Sequence, residues 1–212
     1  MEIRPASDRS LLVSFGDEIS MEAHGQVRAL VLALRESSAG ILNLHPAFAS
    51  VLIDFDPRRH SHQEMEALVR ERMAAPTEAA AWETRTVEIP VSYGGECGPD
   101  LEAVAGHAGL TPARVVELHA SASYLVYFLG FSPGFPYLGG LPVELATPRL
   151  ATPRKRVPAG SVAIGGSQTG IYPMESPGGW RIIGRTEMPL FDPEADPPAL
   201  LRMGDYVRFT PI

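Results

Sequence analysis

The 212-residue chain reads as an α+β protein in two parts: a small α/β unit over residues 1–80 and an all-β barrel over residues 81–212. Three observations predict this. Helical and strand periodicities alternate through the first 75 residues. A small, aperiodic stretch from Ala74 to Ala81 separates them from the rest of the chain. Beyond Ala120 the texture changes to short apolar pieces cut by Gly and Pro.

In the first part, Ile3 and Leu11 to Phe15 read as short strands around the turn Ala6-Ser7-Asp8-Arg9. Ile19 to Glu36 reads as a helix, with Val27, Leu30, Val31 and Leu34 on one face and Gly40 beyond its end. Ile41 to His45 and Ser50 to Phe55 form a hairpin, and Ser61 with Glu64 makes a capping box for a helix to about Met73. From the second strand on, the order strand, helix, strand, strand, helix is that of a ferredoxin-like layer, helices on one face of a sheet. In the second part, Thr84 to Val91 alternates as a half-buried strand. A helix starts near Asp100 and stops by Gly109; another has Thr111 at its N-cap and Pro112 at its first position. Tyr124 to Gly130, Val162 to Ile164, Trp180 to Ile183 and Tyr206 to Phe209 are short strands with Gly/Pro turns, the pattern of a closed barrel.

The composition excludes several classes. Hydrophobic residues are 45% and charged residues 20%, ordinary for a globular core. No apolar run reaches the about 18–20 residues that span a bilayer, and the N-terminus lacks the apolar segment of a secretory signal. A single cysteine, Cys97, excludes an internal disulfide and a cysteine-built zinc site, so a cytoplasmic address, away from membranes, is expected. The net charge of −7 argues against nucleic acid as a partner. That charge is uneven: residues 124–190 carry six basic residues against Glu144, Glu175 and Glu187, inside an otherwise acidic chain.

Common catalytic motifs are missing. Lys155 is the only lysine and follows Pro153-Arg154, which excludes a Gly-Lys-Ser/Thr phosphate loop. No G-x-G-x-x-G follows a strand, and Gly130-Phe131-Ser132-Pro133-Gly134 places proline where a nucleophile elbow needs a small residue. His60 and His62 read as a solvated helix start, and His45 as a turn residue. His107 and His119 read as helix C-terminal imidazoles suited to the macrodipole. Asp54 and Asp56 read as an exposed acidic edge. No metal site and no catalytic nucleophile or base is assigned.

The stretch Tyr127-Phe128-Leu129-Gly130-Phe131-Ser132-Pro133-Gly134-Phe135-Pro136-Tyr137-Leu138-Gly139 carries a resemblance. So do Val157-Pro158-Ala159-Gly160-Ser161-Val162, Gln168-Thr169-Gly170-Ile171-Tyr172-Pro173, Ser176-Pro177-Gly178-Gly179-Trp180 and Gly204-Asp205-Tyr206-Val207-Arg208-Phe209. Together they resemble the KipI/allophanate hydrolase subunit 1 family, whose members include the B-type subunit of 5-oxoprolinase. Glu187-Met188 departs from the family's pattern. The resemblance implies a cyclophilin-like, carboxyltransferase-type β-barrel after a small α/β domain. It implies a KipA-type partner, the C-type subunit of 5-oxoprolinase, and a third protein of the A type. Together these open the lactam of 5-oxoproline to glutamate. The complex uses ATP, with Mg, and the resemblance leaves open which of its chains touches the nucleotide. It implies, as the alternative, inhibition of a sporulation-type histidine kinase.

Within that stretch the residues suggest a pocket for a small carboxylate or lactam. Arg149, Arg154, Arg156 and Arg181 have the geometry to clamp a carboxylate or acyl phosphate. Ser161, Gln168, Thr169 and Tyr172 supply neutral donors and acceptors for an amide. Phe131, Phe135, Tyr137 and Trp180 supply apolar walls.

Overall fold

The computed structural model describes residues 1–35, 40–74 and 84–212, and the chain divides into two compact units, Met1–Glu83 and Thr84–Ile212. The stretch from Ala75 read as a linker lies outside the described residues.

The first unit runs β1 (Glu2–Ser7), β2 (Ser10–Ser14), α1 (Met21–Arg35), β3 (Ile41–Pro46), β4 (Ser50–Phe55) and α2 (His62–Ala74). Its sheet has the order β1-β2-β4-β3 with every pairing antiparallel. β2, α1 and β3 therefore form a split β-α-β unit with β4 between the strands, the arrangement of a ferredoxin-like layer, and β1 covers the free edge of β2. The apolar face of α1 is closed: Val27, Leu30, Val31 and Leu34 are all buried. Its N-cap is Ser20, whose Oγ accepts from the Ala23 N–H at 3.1 Å. The capping box of α2 forms as expected: Glu64 accepts from the Ser61 N–H at 2.8 Å, and Ser61 Oγ accepts from the Glu64 N–H at 3.2 Å. His62 is not a solvated cap residue. Its Nε2 lies 2.8 Å from the Ser7 carbonyl, and its ring meets Phe55 edge-on.

The second unit begins with β5 (Thr86–Tyr93), α3 (Leu101–Ala108), α4 (Pro112–Ser121), β6 (Tyr124–Leu129) and β7 (Pro136–Gly139). It continues through β8 (Arg154–Val157), β9 (Ser161–Gly165), β10 (Gln168–Ile171), β11 (Ser176–Gly178), β12 (Arg181–Arg185) and β13 (Tyr206–Pro211). Seven strands close a barrel in the order β10-β7-β6-β13-β5-β12-β9, and β8 pairs with β11 in a separate two-stranded ribbon. The barrel shuts where the unit's two ends meet: β13 runs parallel to β5 from Tyr206 opposite Thr86 to Pro211 opposite Val91. Alternation sends Val162 and Ile164 of β9 and Ile183 of β12 into the barrel core, whereas Ala163 and Ile182 point to a second apolar cluster outside it. That outer cluster, built on Phe135, Val157, Tyr172 and Trp180, is where the candidate site forms.

The barrel also encloses a polar core group. His119, read from sequence as a helix-end imidazolium, is fully buried and stacks on Phe209 at 4.6 Å. Thr169 Oγ1 donates to the Ala163 carbonyl at 3.0 Å, so its single proton is committed. His119 Nε2, 3.0 Å away, must then be the donor to Thr169, and Nδ1 accepts from the Tyr93 hydroxyl at 2.7 Å. Burial pushes the imidazole down to about 3, so the ring is neutral. The helix-end rule fails here because the barrel core, not the end of α4, surrounds the ring.

His24, lowered to about 4 first by burial and then by Arg28, titrates in the same sense. Both histidines have folded values below the ordinary 6.5, so the unfolded chain binds their protons first. Stability is therefore full above pH 6.5 and falls as pH drops toward 4, by about 1.4 kcal/mol per pH unit per histidine. Chemical denaturation between pH 7 and 5 should show this decline, and His119→Gln should roughly halve its slope.

Candidate functional site

The outer cluster opens as a cavity of about 180 Å³ between β7, β11 and the loops before β8 and β12. Four side chains expected as walls, Phe131, Phe135, Tyr137 and Trp180, line it together with Arg149 and Tyr172. Phe135 is the hub: its ring meets those of Phe131, Tyr137, Tyr172 and Trp180 edge-on at centroid distances of 5.4, 5.1, 5.2 and 5.6 Å. Such edge-to-face contacts favour fixed ring positions.

Two glycines make this cage possible. An added Cβ on Gly165 would lie 2.5 Å from the Trp180 ring, so only a bare backbone lets the indole lie against β9. An added Cβ on Gly178 would lie 2.4 Å from the Tyr172 hydroxyl. At the cage's edge the Arg149 guanidinium sits 5.5 Å from the Trp180 ring centroid, within cation–π range. Tyr172 is held above its ordinary value chiefly by burial, with a hydrogen bond from the Trp180 backbone and the charge of Arg149 working against it. It is therefore a neutral phenol at physiological pH. As a neutral phenol it carries a proton that it can donate. Phe131 is the exception among the wall residues. The residue is 62% exposed, and its φ of 69° is the one non-glycine positive value among the described residues. A bulky residue in this region is held there by its surroundings, here the turn in which Ser132 N–H bonds the Gly130 carbonyl and Phe135 N–H the Ser132 carbonyl.

The basic stretch read as one site is divided by the ribbon of β8 and β11. Pro153, Gly178 and Gly179 face the aromatic cavity, whereas Arg154, Arg156 and Ser161 line another, with Arg185. Arg154 Nη2 donates to Asp100 Oδ1 at 2.8 Å, and Arg156 pairs with Glu175 at 2.8 Å on the surface. Thr169 reaches neither cavity, since its hydroxyl is sealed against His119. Gln168, half-buried opposite Gly165, and Arg181, whose Nε donates to the Pro148 carbonyl at 3.2 Å, also line neither. Arg149 and Tyr172 are thus the polar candidates that meet the aromatic walls. Leu150, Pro153 and the Gly178-Gly179 pair complete the cavity and were missed; the Gly-Gly-Trp run was the signal available for the last two. Among the described residues no group of three or more His, Cys, Asp or Glu side chains is arranged to hold a metal ion. Among them, no helix is long and apolar enough to cross a membrane.

The chain matches the family model for the carboxyltransferase domain, subdomain C and D, over residues 1–201. It belongs to this family. The chain is 42% identical over 222 aligned residues to the 5-oxoprolinase B-type subunit of Bacillus subtilis, covering 100% of this chain and 92% of that protein. It is 43% identical over 217 residues to the same subunit of Haemophilus influenzae 5-oxoprolinase, covering 99% and 97%. Among solved structures, that of TTHA0988 superposes with a TM-score of 0.86 at 42% identity, covering 96% of this chain and 40% of that longer one. The Kluyveromyces lactis urea carboxylase superposes with a TM-score of 0.78 at 22% identity, covering 99% of this chain and 21% of that one, a likeness of fold. The family's carboxyltransferase architecture accounts for the closed barrel and the separate α/β sheet.

The Gly165 contact is directly testable. Gly165→Ala should displace Trp180 and destabilise the chain by about 1–3 kcal/mol, the usual cost of overpacking. In a Trp82→Phe background, where Trp180 is the only tryptophan, its emission should shift to the red and thermal unfolding should come earlier.

Proposed function

We propose that this chain is a subunit of an ATP-dependent 5-oxoprolinase and supplies the part of the site that grips the lactam. The observation that carries the reading is Arg149 poised over Trp180 at the edge of an aromatic cage that also holds a protonated Tyr172. A five-membered lactam bearing one carboxylate needs flat apolar walls for the ring, a guanidinium for the carboxylate and a neutral donor for the amide oxygen. Trp180 with Phe135 and Tyr137, Arg149, and Tyr172 supply these in that order. A donor on the amide oxygen also stabilises the charge that develops there when the carbonyl is attacked, and a dry aromatic wall strengthens that interaction.

The residues lining the cage include no general base and no nucleophile, so the bond-breaking groups belong to other chains. ATP is the cosubstrate of the assembled complex; the sequence holds no Gly-Lys-Ser/Thr phosphate loop, so a loop of that type would come from a partner. Those partners are a KipA-like protein of the C type and a protein of the A type. The exposed Phe131 at the cage's rim is a large apolar surface for a covering partner, which would also exclude water from the reaction. The names borne by the relatives at 42% and 43% identity favour the same substrate.

The purified chain alone should not consume 5-oxoproline. Mixed with both partner proteins and ATP it should release glutamate. In that mixture Arg149→Ala should raise KM for 5-oxoproline about 10- to 100-fold, the loss of a charge-assisted hydrogen bond. Wild-type kinetics in Arg149→Ala and Trp180→Ala complexes would rule out this site.

A further inference from the structure

A second cavity, of about 140 Å³, opens on the other side of the β8/β11 ribbon and shares no lining residue with the aromatic cage. Its charged lining residues are three arginines, Arg154, Arg156 and Arg185, against one carboxylate, Glu96. We propose that this cavity binds a small oxyanion, namely inorganic phosphate or a terminal phosphoryl group.

The state of each guanidinium carries the inference. Arg154 bonds Asp100 through one arm only, Nη2 to Oδ1 at 2.8 Å. The second oxygen of Asp100 is already taken by the Ile182 N–H at 2.7 Å. Asp100 therefore cannot accept a second, parallel bond from Arg154 at that oxygen without giving up the backbone of β12. The other arm, Nη1, is buried with no acceptor in the protein. A buried, charged donor without an acceptor is costly, and a side-chain shift that turns Arg154 toward an anion in the cavity it lines would supply one. The other two arginines are held only at the surface. Arg156 forks onto Glu175 with bonds of 2.9 and 2.8 Å, but the two side chains are 77% and 52% exposed, and Arg185 reaches Glu187 only at 3.7 Å, with Glu187 88% exposed. Exposed pairs of this kind contribute little and exchange readily for a better-shielded anion. Three arginines lining one small cavity match a multiply charged tetrahedral oxyanion better than a singly charged carboxylate. Ser161 serves as wall, since its hydroxyl already donates to the Pro158 carbonyl at 2.8 Å. This site stands on its own residues and does not depend on the lactam reading.

Cys97 lines the same cavity and is the chain's only cysteine, so the rate at which neutral iodoacetamide alkylates it reports occupancy. The full chain is titrated with inorganic phosphate at ionic strength fixed with chloride, and in parallel with glutamate. Phosphate should slow alkylation saturably, and glutamate should protect less. Arg185→Gln, which leaves the Asp100 contacts intact, and Arg154→Gln should each raise the phosphate midpoint about tenfold or more while circular dichroism stays unchanged. Protection that follows ionic strength alone, or a midpoint unmoved in both variants, overturns the proposal. Stronger protection by glutamate than by phosphate overturns the phosphoryl assignment.

Discussion

Trp180 can lie against the outside of the barrel only because Gly165 has no side chain beneath it. The rest of the candidate site is arranged around that contact. Phe135 meets the indole edge-on, and Arg149 sits over its face. The floor beneath is a barrel wall whose opposite surface is the main core, since Val162 and Ile164 point inward on either side of Ala163. A closed barrel has no free edge to slide, so the floor cannot change register without breaking the core. The cage is a stiff surface for that reason, suited to holding a ligand rather than to reshaping around one.

Much of this was legible in the residues, but unevenly. Local signals were reliable: Ser61 with Glu64, Thr111 with Pro112, and the apolar face from Val27 to Leu34 all report on neighbours within a turn or two. The four aromatic walls were legible because large rings between Gly and Pro in an exposed-looking stretch have few other uses. What depends on distant pairing was not legible. The parallel match of β5 with β13 joins opposite ends of the unit, and no local pattern announces it. The basic stretch looked like one cluster because its members are close in sequence. Strand alternation and the β8/β11 ribbon put Arg149 on one side and Arg154 and Arg156 on the other.

Thr169 and His119 were misplaced for a related reason. Each looks like a surface group by residue type, yet each satisfies the other inside the barrel, with Tyr93 and the Ala163 carbonyl completing the chain of bonds. A single buried polar side chain would be costly there; a closed network is tolerated. The polar residues of this stretch therefore sort into two uses. Some are spent inside the barrel on its own architecture, and Arg149 and Tyr172 line the outer aromatic cavity.

On the proposed reading the chain carries half a site, a rigid aromatic grip with an anion clamp, and partner proteins would bring the reacting groups. Phe131, apolar, exposed and held at a positive φ at the rim, is where the cover would meet it. The most direct test is a crystal structure of the assembled complex with 5-oxoproline bound. The expected result is the lactam ring against Trp180, its carboxylate on Arg149 and its amide oxygen at the Tyr172 hydroxyl. A lactam seated wholly among partner residues, out of hydrogen-bonding reach of Arg149 and Tyr172, would contradict this reading of the cage.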